Sequence, residues 1–338
     1  MARVVIVGGG VIGCAIAERL SRERRHRVLL LERDTLGAHA SGAAAGLLSP
    51  HGEANREDDE LAGRSLAMFP ETVARVERSG VLVEYREQES LRPALAAEDE
   101  ERLRRGRGRW LDAAGALAEE PALNPSVRGA AAVPEAQVTP ARLVRAFART
   151  AAAQGAEIRE GAPVGPLAAR SGCVTAVETP GGLEAADVVV LAAGPWSPML
   201  AAPLGVEVDV RPSRGQLVTL RPAGGVLGRP LTWRGSYLVP KPDGSVVAGS
   251  TEEDVGFDER PTAEGVAGLL DFATRAVPAL GAAQFERAWA AVRPATPGGA
   301  PLIGPAPGLS NLMLATGHGR NGILLAPVTA ELIAGLVG

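Results

Sequence analysis

The sequence predicts a mixed α/β protein with two domains. Residues 3–32 fit a strand, a glycine-rich turn, a helix and a second apolar strand, which is the start of a parallel sheet. Residues 206–250 are short alternating runs that favour an antiparallel sheet inserted into this domain. The first, Rossmann-like domain is therefore assembled from discontinuous segments. We expect it to comprise residues 1–65, 138–205 and 292–338, and the inserted domain residues 66–137 and 206–291.

Composition narrows the classes of function. The 338 residues carry a net charge of −4, which gives no reason to expect a nucleic-acid partner. The two cysteines, Cys14 and Cys173, have no metal-binding or C-x-x-C spacing, so no metal site is expected. The first strand begins at Arg3, which leaves no room for a signal peptide, and no apolar run reaches the ~18 residues of a membrane span. We expect a cytoplasmic protein without a membrane partner.

The glycine-rich turn matches the pattern G-x-G-x-x-G, and an acid follows 19 residues after its last glycine. Gly8 permits a tight turn, Gly10 lets a pyrophosphate approach the backbone, and Gly13 lets the helix pack closely on the strand. The helix N-terminus offers N–H groups to the phosphates. Glu32 can accept hydrogen bonds from ribose hydroxyls. The unit predicts a bound adenine dinucleotide and leaves open whether it is FAD or NAD.

Two other stretches are rich in small residues. Residues 36–46 suit a loop that lies against a large flat ligand, with a flexible linker as the alternative. The apolar run 187–191 predicts a buried parallel strand, and it continues into the small residues 192–194. Between these stretches, residues 97–113 predict a charged surface helix, and Thr139 with Pro140 predicts the start of another.

The charged residues near the C-terminus are sparse. Between residues 289 and 330 the formal charges are Arg293 and Arg320, and no acid lies nearby in the sequence. Arginine suits a planar carboxylate, which it grips with two parallel hydrogen bonds. The two side chains are either structural or kept for an anionic ligand. Residues 317–322 then predict a turn that leads into the N-terminus of a closing helix, 322–337.

Several motifs together resemble the FAD-dependent D-amino-acid oxidase superfamily, and most closely its glycine-oxidase branch. They extend over nearly the whole chain, and the last two are the most specific. The motifs are residues 8–13, 41–47, 194–197, 214–216, 237–240 with 242–244, 249–251, 293–297 and 317–327.

The resemblance implies roles for named residues. Arg293 would bind the substrate carboxylate, Arg320 would support the carboxylate and the flavin edge, and Tyr237 would hydrogen-bond the substrate. The residues expected to contact FAD are Gly8, Gly10, Val11, Ile12, Gly13, Glu32, Arg33, Ala40, Ser41, Ala45, Gly46, Leu47, Val164, Ala193, Gly194, Trp196, His318, Gly319, Arg320, Asn321, Gly322, Ile323 and Leu324.

The sequence departs from the family pattern at two places. A histidine that some members carry two residues before the tyrosine is Gly235 here, and Glu252–Glu253 follow Thr251 where an apolar pocket residue is sometimes found. Sarcosine oxidases tether the flavin through a cysteine, and none follows Cys173 in this chain. The resemblance therefore implies noncovalent FAD.

The implied reaction is the oxidative deamination of glycine and related small amines, such as sarcosine and small D-amino acids. Its products are the α-keto acid, ammonia and hydrogen peroxide, with O₂ as the acceptor and thiamine thiazole synthesis as the pathway. A dimer or tetramer is also implied. The alternatives are a D-amino-acid or imino-acid dehydrogenase with another electron acceptor, an NAD-dependent dehydrogenase, and an RNA-directed flavoprotein, against which the acidic composition argues.

Overall fold

The computed structural model describes residues 1–50 and 56–338. Strands and helices alternate along much of this length, as the sequence predicts. In chain order they are β1 (Arg3–Val7), α1 (Val11–Arg22), β2 (Arg27–Leu31), α2 (Ala40–Ala43), β3 (Leu47–Leu48), α3 (Arg56–Val76), β4 (Arg86–Ala94), α4 (Ala97–Arg105), β5 (Arg109–Asp112), α5 (Ala113–Glu119), β6 (Gly129–Gln137), α6 (Pro140–Ala153), β7 (Glu157–Arg159), β8 (Leu167–Arg170), β9 (Cys173–Thr179), β10 (Gly182–Ala185), β11 (Val188–Leu191), α7 (Ser197–Ala201), β12 (Arg211–Arg221), β13 (Leu231–Trp233), β14 (Ser236–Pro240), β15 (Val246–Gly249), α8 (Ala263–Ala276), β16 (Gln284–Ala295), β17 (Leu302–Pro305), β18 (Leu312–Thr316) and α9 (Gly322–Val337).

The chain divides into two compact units. The first contains residues 1–83, 138–213 and 292–338, and the second contains residues 84–137 and 214–291. Residues 66–83, which the sequence analysis placed in the inserted domain, lie in the first unit. Their helix α3 packs on α9, where the Ser65 hydroxyl donates to the Leu324 carbonyl over 2.6 Å. The roles of the two units, in cofactor and in substrate binding, stay predictions.

The central sheet of the first unit has the order β17-β18-β11-β1-β2-β7 among the described residues. Every pairing in it is parallel except that of β17 with β18. Consecutive residues, whose side chains point to opposite faces of the sheet, are buried in β1, β2, β11 and β18. Helix α1 contacts both α6 and α9, and all three helices contact the sheet. The small sheet β10-β9-β8 packs through Val174 and Val177 against Val5 and Val189. Cover on both faces explains why these strands are continuous apolar runs.

The second unit is built on an antiparallel-rich sheet with the strand order β16-β12-β15-β14-β13-β4-β6, and β5 pairs with β6. One face of this sheet packs on α8 and α5 through a core that includes Leu91, Leu231, Leu238 and Ala248. The predicted mixed α/β fold, with a parallel and an antiparallel sheet, is confirmed.

The predicted helix 97–113 is wrong in its second half. Helix α4 ends at Arg105, and Gly108 has a φ of +122°, which L side chains rarely adopt. The chain then forms strand β5, in which Trp110 pairs with Ala131. A charged run with helical composition was therefore interrupted by two glycines and by sheet pairing.

Helix α9 is the closing helix that the sequence predicts. The stretch Gly319–Val337 is, within the described part of the chain, the one helical segment long and apolar enough to cross a membrane by length and composition. Half of an 18-residue stretch of this segment is buried inside the protein, and a buried core helix can have the same length and composition. The segment is therefore weak evidence for a membrane span.

Candidate active site

Most predicted cofactor residues follow the carboxyl ends of four neighbouring parallel strands, β18, β11, β1 and β2. The turns after these strands begin at residues 317, 192, 8 and 32. In a parallel sheet the carboxyl ends lie along one edge, and ligands bind where neighbouring strands lead the chain away in opposite directions. Strand β1 meets this condition, because β2 follows it on one side and the later β11 flanks it on the other.

The three glycines of the first turn have different surroundings. A Cβ on Gly8 would lie 2.4 Å from the Ala192 carbonyl oxygen, and one on Gly13 would lie 1.9 Å from the Gly8 carbonyl oxygen. Backbone packing therefore requires both glycines. A Cβ on Gly10 would have one close neighbour, the Ser41 hydroxyl at 3.1 Å, so this glycine is open toward the turn. That is the surrounding expected where a pyrophosphate approaches.

The carboxylate of Glu32 organises the same turn. Its two oxygens accept the backbone N–H groups of Gly9, over 2.6 Å, and Asp34, over 2.9 Å, and the residue is 7% exposed. Each carboxylate oxygen has two acceptor sites, so capacity remains for ribose hydroxyls. Glu32 thus couples the end of β2 to the glycine turn in addition to its predicted role.

The N-terminus of helix α1 is capped from another segment. The N–H of Val11 donates to the Ser41 hydroxyl over 2.9 Å, next to Ala40 in helix α2. The side chains of Val11 and Ile12 are buried, so any contact of theirs with a cofactor would use the backbone.

The loop after α2 is fixed by backbone packing. Gly46 has a φ of +83°, and its carbonyl accepts the N–H of Val138 over 2.9 Å. A Cβ on Gly46 would lie 2.1 Å from the Val138 carbonyl oxygen, so glycine is needed there. Its neighbours Ala45 and Leu47 are buried and half-buried.

The predicted contacts Arg33 and Trp196 form a cluster with the side chains of His39 and Asp34. The Arg33 guanidinium lies 3.9 Å from the centroid of the Trp196 ring, and the His39 ring lies 4.8 Å from it. His39 Nε2 is 2.8 Å from a carboxylate oxygen of Asp34. Hydrogen bonds from His39 and Arg33 lower the pKa of the Asp34 carboxyl. Asp34 and His39 were not predicted from the sequence, although both lie within two residues of predicted contacts.

Three further predicted contacts lie on the same sheet edge. Val164 and Ala193 are partly buried and pack against the core below the edge. Gly194 has a φ of +55° and no heavy atom within 4 Å of an added Cβ. The Thr316 hydroxyl, at the end of β18, donates to the Gly194 carbonyl over 2.9 Å and ties two of the turns together.

The turn after β18 leads into helix α9. Gly319 and Asn321 lie in a single 3₁₀ turn with Arg320, and Gly322 begins the helix. Ile323 and Leu324 are buried, which leaves their backbone as the predicted cofactor contact. These assignments remain predictions from the sequence.

The side chain of His318 is committed to the protein interior. It is 3% exposed, and Nε2 lies 3.0 Å from the Thr329 hydroxyl in helix α9. Burial lowers the pKa of His318 to about 3, so the ring is neutral near pH 7. A cofactor contact by this residue would therefore come from its backbone.

This burial predicts a pH dependence of stability. In the unfolded chain a histidine has a pKa of about 6.5. Between about pH 6.5 and pH 3 the unfolded state therefore binds the extra proton, and the contribution of His318 to stability is lost as the pH falls. We expect that, as the pH falls below about 6.5, the free energy of unfolding of the native protein decreases more than that of a His318→Gln variant. The expected slope is up to about 1.4 kcal/mol per pH unit.

Urea unfolding of both proteins at pH 7.5, 6.5 and 5.5 measures this difference. Taking the difference between the two proteins removes the contribution of every other titrating group. A stability difference that stays constant over this range would contradict the assignment of a buried neutral ring.

In the second unit, Tyr237 lies on β14 and pairs with Thr232 on one side and Gly249 on the other. A Cβ on Gly249 would lie 3.0 Å from Cε2 and Cζ of the Tyr237 ring. The ring therefore lies over the backbone of β15. The glycine of the motif 249–251 is explained by this packing.

The motif 214–216 anchors the segment that follows β15. Arg214 is paired with Glu253, and its Nη1 donates to the Arg260 carbonyl over 3.0 Å. Gln216, which is fully buried, donates to Glu253 over 2.7 Å and accepts the Thr262 N–H over 2.7 Å. Burial raises the pKa of the Glu253 carboxyl, but hydrogen bonds outweigh this and the pKa is lowered. Glu253, at which the sequence departs from the family pattern, thus pairs with Arg214.

Arg293 and Arg320 lie in the first unit. Arg293 is on β16 and is half-buried, whereas Arg320 is exposed in the turn before α9. Their roles toward a substrate stay predictions.

Comparison with known proteins decides the family. The family model described as FAD dependent oxidoreductase (DAO) matches residues 3–336. The chain belongs to the DAO family. The glycine oxidase of Geobacillus kaustophilus is 37% identical, with 99% of this chain and 92% of that protein covered. The crystal structure of glycine oxidase from Geobacillus kaustophilus matches with a TM-score of 0.94 at 35% identity, over 100% of this chain and 95% of that one.

A second kind of DAO-family relative is longer. The bifunctional protein ThiO/ThiG of Synechocystis is 38% identical over 99% of this chain, but the chain spans 51% of its length.

As a DAO-family member the protein uses FAD, and the described residues fit it. Gly10 is open for a pyrophosphate, and Glu32 keeps acceptor capacity for a ribose. The N-terminus of α1 points at the same turn.

Proposed function

We propose that the protein catalyses the FAD-dependent oxidative deamination of glycine and related small amines. The observation that carries this proposal is the 37% identity to a glycine oxidase over 99% of the chain. The glycine oxidase of Pseudomonas putida, 33% identical over 99% of the chain, supports the same substrate class. A dehydrogenase with another electron acceptor is not favoured by these relatives.

The reaction consumes glycine, O₂ and water and yields glyoxylate, ammonia and hydrogen peroxide. When bound, FAD would supply an acceptor for the hydride of the substrate α-carbon and a route for the electrons to O₂. The residues of this chain bind and orient. Arg293 holds the carboxylate with two parallel hydrogen bonds, Arg320 supports the carboxylate, and Tyr237 adds a hydrogen bond from β14. No strong base is needed if the amine binds unprotonated.

The pathway, compartment and assembly belong to the same proposal. The similarity to ThiO/ThiG, half of which this chain matches, supports a place in thiamine thiazole synthesis. We propose a cytoplasmic enzyme that forms a dimer or a tetramer, which light scattering of the purified protein measures.

Two measurements on one sample test the proposed reaction. The visible spectrum of the purified protein is recorded, and glycine is then added without oxygen. Flavin bands that bleach, followed by peroxide formation in air, are the expected result. Bands that bleach with a D-amino acid but not with glycine would show that the preferred substrate is a D-amino acid. A protein without flavin bands, even after added FAD, would overturn the proposal.

A further inference from the structure

The face of the second-unit sheet that carries Tyr237 is opposite its hydrophobic core. Leu231 pairs with Leu91 and with Leu238, and all three belong to that core. Thr232, the next residue, pairs with Tyr237, so both side chains project to the other side. We call this side the tyrosine face.

On the tyrosine face, the ring of Tyr237 leans toward β15, which is one of the two strands that flank β14. Its Cε2 and Cζ lie 3.0 Å from the Cβ position of Gly249, on β15. Side chains opposite each other on neighbouring strands have Cβ atoms about 5 Å apart. Because the ring leans over β15, the Thr232 side chain on β13 borders Tyr237 on the side away from this contact.

The hydroxyl of Thr232 is buried and has no hydrogen-bond partner among the residues that the structure describes. Burying a hydroxyl without a partner is unfavourable, because its hydrogen bonds to water are lost. A group that both donates and accepts, bound beside Tyr237, would restore them. The hydroxyl therefore favours a polar ligand group at this position.

The charges nearby favour a neutral group over a second carboxylate. Leu231 pairs with Leu91 in parallel strands, so the next residues, Thr232 and Arg92, are neighbours on the tyrosine face. The Arg92 guanidinium lies 3.4 Å from a carboxylate oxygen of Glu135, whose side chain is fully buried. The Arg92 guanidinium therefore already has a carboxylate partner and is less available to a second anion.

We propose that Thr232 is a specificity-determining residue that hydrogen-bonds a hydroxyl on the substrate side chain. The substrate class is small amino acids with a hydroxymethyl group on the α-carbon, favoured over an apolar group of the same size. The inference rests on the proposed function, because it places Tyr237 beside the bound substrate.

D-serine and D-2-aminobutyrate test the proposal, because their side chains differ by a hydroxyl in place of a methyl. The native enzyme is expected to have the higher kcat/KM for D-serine. Thr232→Val should reduce the ratio of the two kcat/KM values by about fivefold, the value of one neutral hydrogen bond. Thr232→Ser, which keeps the hydroxyl, should retain the native ratio.

Thr219→Val is the matched control. Thr219 is also on the tyrosine face, and its hydroxyl is also buried without a partner among the described residues, but it pairs with Val247 and not with Tyr237. Neither valine removes a hydrogen bond within the protein, so both variants are expected to fold. Thr219→Val should leave the ratio unchanged.

Glycine oxidation in each protein separates this inference from the proposed function. The inference alone would be overturned if the native enzyme oxidises glycine but Thr232→Val changes the ratio of the kcat/KM values for D-serine and D-2-aminobutyrate no more than Thr219→Val does. Equal treatment of the two D-amino acids by the native enzyme would also overturn it. Failure of the native enzyme, with flavin bound, to oxidise glycine or either D-amino acid would overturn the proposed function instead.

Discussion

Arg293→Ala is expected to raise the KM for glycine by a factor of about 30 or more. Truncating one partner of a buried, hydrogen-bonded charge pair costs about 2–5 kcal/mol, and the lower end applies because Arg293 is half-buried. The variant loses both parallel hydrogen bonds to the substrate carboxylate. Since the same contact orients the α-carbon, kcat should also fall. Steady-state peroxide formation over a range of glycine concentrations measures both constants.

Two further variants make the result specific. Arg293→Lys keeps the positive charge without the planar fork, so its KM should lie between those of the native enzyme and Arg293→Ala. Arg287→Ala removes an arginine from the same strand, where it lies 4.6 Å from the centroid of the Trp289 ring and is exposed. This control should leave the KM unchanged. A native KM in Arg293→Ala would refute the assignment of Arg293 to the carboxylate.

Much of the first unit could be predicted because its signals are local in sequence. A tight turn, a helix start and an apolar strand each depend on adjacent residues, so residues 3–32 predicted β1, α1 and β2 together. The buried strand predicted at 187–191 is confirmed as β11, next to β1. Its position could be foreseen because strands that are buried on both faces are continuous apolar runs.

The contacts missed by the sequence analysis join residues that are distant along the chain. Glu253 is 39 residues from Arg214, and the packing of Gly249 under Tyr237 depends on the register of β14 and β15. Nothing in the segment around Glu253 shows which cation it meets. The contact of His318 could not be predicted for the same reason. Its neighbours in the sequence predict a turn, but only the fold of α9 places Thr329 beside its ring.

Gly10→Ala is expected to weaken FAD binding by about 100-fold without loss of the apoprotein fold. Gly10 has an extended backbone conformation that any residue adopts, and an added Cβ meets the Ser41 hydroxyl at 3.1 Å as its one close neighbour. The methyl group would instead occupy the side from which the pyrophosphate approaches. Loss of about 3 kcal/mol corresponds to one or two hydrogen bonds to a charged group. Titration of apoprotein with FAD, followed by quenching of flavin fluorescence, measures the affinity.

Gly13→Ala separates the cofactor contact from packing. In most helices this substitution is stabilising by up to about 1 kcal/mol. Here the added Cβ would lie 1.9 Å from the Gly8 carbonyl oxygen, so helix α1 must move away from β1. The apoprotein should therefore unfold at lower urea concentration, by about 1–3 kcal/mol, an effect of the kind caused by overpacking. Native FAD affinity in Gly10→Ala would show that the pyrophosphate does not pass this glycine. An unchanged unfolding midpoint in Gly13→Ala would show that the contact between α1 and β1 is looser than the distance implies.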